Sequence, residues 1–146
     1  MTAQDMWNRY TAQHPDAAVQ PFEAWSYGEA PDDLAALTLA GVKQATSSAH
    51  ALYALEGEEL PQAGDHSVIL NAAGEAVCII RNTQVSILTF LEVDERHAYL
   101  EGEGDRTLSF WRRVHEAFFR RELEQYQLPF TEEIAVVCEE FEVVYP

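Results

Sequence analysis

Near residue 66 the apolar residues change their period, and no single kind of secondary structure can accommodate the chain on both sides of that point. Before it, Met6, Trp7, Tyr10 and His14 recur at helical spacing, as do Ala45, Ala49, Leu52 and Tyr53. After it the period falls to two over Ser67–Leu70, Ala76–Arg81 and Gln84–Thr89, with turns expected near Asn71–Gly74 and at Asn82. Helices followed by a small meander of antiparallel strands predict an α+β fold.

Local signals give the element boundaries. Thr2 and Asp5 form a capping-box pattern, so a first helix is predicted from about residue 3 to 14. Pro15, Pro21 and Gly28 mark an irregular stretch whose Phe22, Trp25 and Tyr27 either plug the core or line a cleft. Pro31 with Asp32 and Asp33 starts a second helix over Leu34–Ala40, which Gly41 stops. Thr46, Ser47 or Ser48 is then expected to cap the helix that follows. Later, Asp94 caps and Gly102 ends a short helix over Val93–Glu101. The longest helix, about 107 to 126, carries Leu108, Trp111, His115, Phe118 and Phe119 on one stripe. Its Arg112, Arg113, Arg120 and Arg121 read as a solvated face balanced by Glu116 and Glu124. A last strand, Ile134–Tyr145, is expected to run through the middle of the sheet.

The chain has 146 residues, and no linker or repeat divides them, so one domain is expected, with residues 1 to about 24 as a helical extension. A mean hydropathy of -0.22 is that of a globular chain with a real core. With no long apolar run and no signal-like N-terminus, a cytoplasmic protein without a membrane partner is expected. Cys78 and Cys138 stand in apolar strands without a Cys-x-x-Cys spacing, which predicts two buried free thiols and no zinc. The formal charge of -16 excludes a broad grip on duplex DNA or RNA, because such affinity comes from phosphates neutralised by Lys and Arg. A nucleic-acid ligand would have to be a nucleoside or a short single strand held in a pocket.

Lys43 is the only lysine, and the other eight basic residues are arginine. An amine on a flexible stem can be desolvated until it acts as a base, which a guanidinium cannot do. It can equally serve as the cation at the end of the preceding helix. Thr46 lies three positions on, a spacing that could bring hydroxyl and amine together as a nucleophile and its base. His97 and Glu101 share one helical face. Glu101 could shuttle a proton or fix Lys43, whereas a metal at the pair would need a third ligand, so neither a metal nor another cofactor is expected.

Together these residues resemble the ASCH domain family. The resemblance rests on Gly41-x-Lys43-x-x-Thr46, Leu60-Pro61-x-x-Gly64-Asp65, His97-Ala98-x-x-Glu101-Gly102 and a last strand ending Phe141-x-Val143-Val144. The segment Arg106-Thr107-Leu108-x-x-Trp111-x-x-Val114-His115-x-x-Phe118-Phe119 is similar to a longer bacterial subgroup of that family. The resemblance implies a PUA-like fold, a small, mostly antiparallel β-barrel with flanking helices, and a cleft for RNA or a nucleoside. Members of the family have been assigned RNA binding, ribonuclease activity and amide hydrolysis of N4-acetylcytidine. In the amidohydrolase branch the catalytic lysine, threonine and glutamate match Lys43, Thr46 and Glu101. That branch has an arginine two positions after the threonine, where this chain has Ser48. Trp25, Tyr27, Ser47, Ser48, Arg81, Trp111 and His115 are the residues expected to bind the ligand.

Overall fold

The computed structural model describes residues 1–146. Its five α-helices are α1 (Ala3–Gln13), α2 (Pro31–Leu39), α3 (His50–Leu55), α4 (Glu95–Glu101) and α5 (Leu108–Glu124). Its five strands are β1 (Phe22–Ser26), β2 (Ala45–Ala49), β3 (His66–Leu70), β4 (Ala76–Thr89) and β5 (Ala135–Tyr145). The strands form one mixed sheet in the order β1-β3-β4-β5-β2, in which only the β1–β3 pair is parallel. The sheet curls into a half-barrel with the helices around it, an α+β fold as the sequence indicates, and β1 and β2 are its two free edges.

Helix starts follow the expected chemistry. Thr2 and Asp5 close a capping box at α1, Asp94 accepts from the His97 N–H at α4, and Thr107 accepts from the Phe110 N–H at α5. Along α5 the buried residues Trp111, His115, Phe119 and Leu123 recur every four positions, and Trp111, Phe119 and Leu123 share a core cluster with Val136 and Cys138 of β5. Burying each large apolar side chain in this way contributes about 1.5–3 kcal/mol. A second cluster joins Tyr27 and Ala35 to Ile69, Cys78, Ile80 and Phe141, and a third seats Met6, Trp7 and Tyr10 of α1 on Val68 and Ile79. Both cysteines are buried and free, as expected.

Three local expectations are corrected. The stretch expected to be irregular contains β1, an edge strand paired with β3 from Phe22↔His66 to Ser26↔Leu70. The turn expected at Asn82 is an irregularity inside one long strand, where the register of β4 against β5 shifts between Asn82 and Gln84. The hydroxyl run 46–48 does not cap a helix but lies in β2, paired antiparallel with β5 from Ala45↔Glu140 to Ala49↔Val136. Buried and partly buried residues alternate along it, so Thr46 and Ser48 face one way and Ser47 the other.

Candidate functional site

Lys43 lies in the connection between α2 and β2, and that connection is pinned on three sides. The Val42 and Lys43 N–H groups donate to the Leu37 carbonyl, the Gln44 N–H to the Leu100 carbonyl of α4, and the Phe141 N–H to the Gln44 carbonyl. Gly102, in the left-handed conformation at the end of α4, lets the two connections touch, since a Cβ there would sit 2.6 Å from the Val42 carbonyl oxygen. Arg106 closes the contact by donating to the carbonyls of both Tyr99 and Val42.

These constraints turn the Lys43 side chain inward, where the residue is 1% exposed. Its Nζ donates to Glu103 Oε2 at 3.0 Å, Glu101 Oε1 at 3.1 Å and the Glu101 carbonyl at 3.3 Å. Three acceptors satisfy the three N–H bonds of an ammonium, so Lys43 is ion-paired to both carboxylates, fully buried at Glu101 and partly exposed at Glu103. The Tyr27 ring lies 5.2 Å beneath the nitrogen. Burial pushes the Tyr27 pKa well up, outweighing the lowering effect of the hydrogen bond between its hydroxyl and Thr38 Oγ1.

Glu101 is the centre of the network. Its Oε1 faces Lys43 and, at 3.4 Å, His115 Nε2. Its Oε2 accepts from Ser47 Oγ at 2.5 Å, Trp111 Nε1 at 2.5 Å and His97 Nε2 at 2.9 Å. Burial opposes its charge, but the neighbouring His115 and Lys43 and the hydrogen bonds from His115 and His97 outweigh it and hold the carboxyl well below its usual range. Burial likewise opposes a charged His115, yet Glu101 raises its pKa above the ordinary value. His97 Nε2 also lies 2.7 Å from Ser47 Oγ. Because the Ser47 hydroxyl donates to Glu101, the single Nε2–H of His97 is shared between Ser47 Oγ and Glu101 Oε2, and the pair is not a nucleophile with its base.

Lys43, Glu101 and Glu103 open onto a recess of about 70 Å³ lined also by Thr46, Ser47, Tyr27, His115 and Phe118. Thr46 lines this recess, and its hydroxyl makes no hydrogen bond to Lys43 or to any other protein group. Across the sheet, Thr46 is in register with Glu139, whose Oε1 accepts from Asn82 Nδ2 at 2.9 Å. Burial raises the pKa of Glu139, the Asn82 hydrogen bond lowers it, and the nearby Glu23 raises it again.

Six of the ten sequence-predicted residues therefore meet in one place: Lys43, Thr46, Glu101, Tyr27, Ser47 and His115. Trp111 does not line the recess but is 2% exposed beneath it, stacked on His115 and donating to Glu101. Ser48 pairs with the Tyr53 hydroxyl at 2.6 Å, and Trp25 packs edge-on against Tyr27. Arg81 is bound to Glu142 away from the recess. Glu103 was missed by sequence reasoning, since an acid in a Gly-flanked loop reads as solvated. Its only available signal was its place two residues after Glu101. Donor atoms of Glu101, Glu103 and His115 lie within 4.8 Å of one another, a spacing that could hold a cation. The Lys43 ammonium already contacts both carboxylates, so a metal would have to displace it.

An ASCH domain family model matches residues 23–145. The crystal structure of an ASCH domain from Lactobacillus crispatus JV V101 is 33% identical, with a TM-score of 0.92 over 98% of this chain and 94% of that one. A crystal structure of a protein from Enterococcus faecalis V583 is 34% identical, with a TM-score of 0.85 over 95% of this chain and 85% of that one. Among curated proteins, none matches the chain.

Proposed function

Because this chain belongs to the ASCH domain family, a PUA-like family thought to bind RNA, we propose that its recess binds a nucleoside or the end of a short single strand and hydrolyses an amide on it. The observation that supports this reading is that Thr46, whose hydroxyl has no protein partner, lines the same recess as the buried amine of Lys43. A volume of about 70 Å³ has room for a small acyl group, so the rest of the ligand would lie in the open mouth.

In this reaction Thr46 Oγ attacks the amide carbon while Lys43, once deprotonated, takes the hydroxyl proton. The C–N bond then breaks as Lys43 returns the proton to the leaving amine, which leaves an acyl ester on Thr46. Water attacks that ester with Lys43 again as the base, and Thr46 is restored. Glu101 orients the lysine and stays ionised throughout, since every one of its lone-pair directions is engaged. Of the two roles the sequence left open for it, proton shuttle or orienter of Lys43, this reading takes the second.

Turnover of N4-acetylcytidine and of short RNAs by the parent, Thr46→Val and Lys43→Met proteins tests the proposal. The Thr46→Val protein should fold normally and lose on the order of 10³-fold or more in kcat for the amide. Lys43→Met should also abolish turnover, but it strands Glu101 and should cost about 3–5 kcal/mol of stability, so its unfolding must be measured alongside. Amide turnover that is indifferent to Thr46 would refute the nucleophile. Nucleoside binding without turnover in the parent would leave a binding module, and RNA cleavage that needs Lys43 but not Thr46 would move the chemistry to the phosphodiester.

A further inference from the structure

We infer that Glu103, and not Glu101, carries the Lys43 proton to and from solvent. As a mechanism this rests on the amide-hydrolysis reading, because only a lysine that must be deprotonated before it can act as a base needs an exit for its proton. The geometry on which it stands is independent of that reading.

A lysine that acts as a base must first give up a proton, and few groups around this nitrogen could receive it. The Glu101 carbonyl cannot hold a proton. Glu101 Oε1 and Oε2 together meet Lys43, His115, Ser47, His97 and Trp111, and protonating that carboxylate would leave at least one buried donor without an acceptor. His115 is committed as well, since its Nδ1 donates to the Trp111 carbonyl at 2.9 Å while Nε2 faces Glu101. Tyr27 offers only its ring.

Glu103 differs on each count. Its Oε2 lies 3.0 Å from Nζ, and Lys43 is the one hydrogen-bond partner of its carboxylate in the protein. Its side chain is 20% exposed against 1% for Lys43 and 2% for Glu101, so it alone spans from the buried nitrogen to water. The loop is built to place it there. Gly102 and Gly104 on either side hold positive φ of 73° and 58°, which folds Glu103 back over the Lys43 connection. In the transfer an N–H bond of the ammonium breaks and an O–H bond forms on Glu103. The products are a neutral amine and a carboxylic acid, and the acid then passes its proton to solvent water.

The single lysine makes the test direct. In protein labelled with ¹⁵N-lysine there is one Nζ signal, and the exchange of its protons with water can be read by NMR without assignment. If Glu103 is the relay, the isosteric Glu103→Gln should slow that exchange by about tenfold or more. If Glu103 is only a counter-ion, removing its charge makes the ammonium easier to deprotonate, and exchange should stay the same or quicken. Either of those outcomes overturns the inference. Activity gives a second measurement: N4-acetylcytidine turnover by Glu103→Ala should fall and be restored by added formate, whereas Thr46→Val should not be rescued. Should the parent hydrolyse no acylated nucleoside, the amide reading falls, and the exchange rate alone decides whether Glu103 is the proton's exit.

Discussion

Glu101 is 1% exposed and can be ionised only because donors from α4, α5, β2 and the α2–β2 connection converge on it. A buried pair of this kind adds little net stability, since desolvation offsets the attraction, but it fixes one arrangement of the four segments. Its strength should depend on pH through His115. The folded pKa of His115 is raised, so its contribution is fully present below the unfolded value of about 6.5 and is lost as pH rises through the higher folded value. Thermal unfolding followed from pH 6 to 9 should therefore show the parent losing stability across that window. A His115→Gln protein should show a flatter profile, and an unchanged slope would refute the charged pair. At this scale the sequence exposed Lys43 through its rarity and Thr46 and Glu101 through their motif. It could not expose Glu103, because a loop carboxylate acquires a role only when two glycines fold it onto a nitrogen 60 positions away in sequence.

Among the elements, β2 was the one read with the wrong period. Ala45-Thr46-Ser47-Ser48-Ala49 has no large apolar residue to display an alternation, and Ala is a poor strand former. Pairing with β5 decides its state, and burial then alternates as a strand requires. The consequence is chemical as well as structural. As a helix cap Thr46 would have spent its oxygen on a backbone N–H, whereas in a strand that oxygen is free. The contact between the α4–α5 loop and the Lys43 connection is equally specific. Gly102→Ala should meet the Val42 carbonyl and adopt an unfavourable φ of 73°, costing about 1–3 kcal/mol in chemical denaturation. It should also raise exposure of the Lys43 amine to acylating reagents. A neutral effect on both would show that the two connections do not depend on each other.

Over the whole molecule the surface is strongly acidic, with a formal charge of -16, and the positive groups near the recess are already matched. Lys43 faces Glu101 and Glu103, and Arg121 on α5 is paired with Glu29 at the recess edge. Glu139 adds a further acid with no cation beside it. Such a site gains little from phosphates, so any binding of short RNA should be weakly salt-dependent. A log–log slope near -0.7, one released ion, is expected, and a slope steeper than about -2 would reveal a phosphate track elsewhere. No helix is long and apolar enough to cross a membrane.

The amino-acid sequence by itself determined the helices with strong caps, the α+β class, the free buried thiols and the residues whose chemistry is unusual, because caps, periods and rare residues are local properties. Only the tertiary structure decided that β1 and β2 are strands, that Trp111 supports the recess from beneath instead of lining it, and that the lysine nitrogen rests on two carboxylates. Those outcomes depend on strand pairing and on contacts between segments far apart in the chain, and neither leaves a local pattern to read.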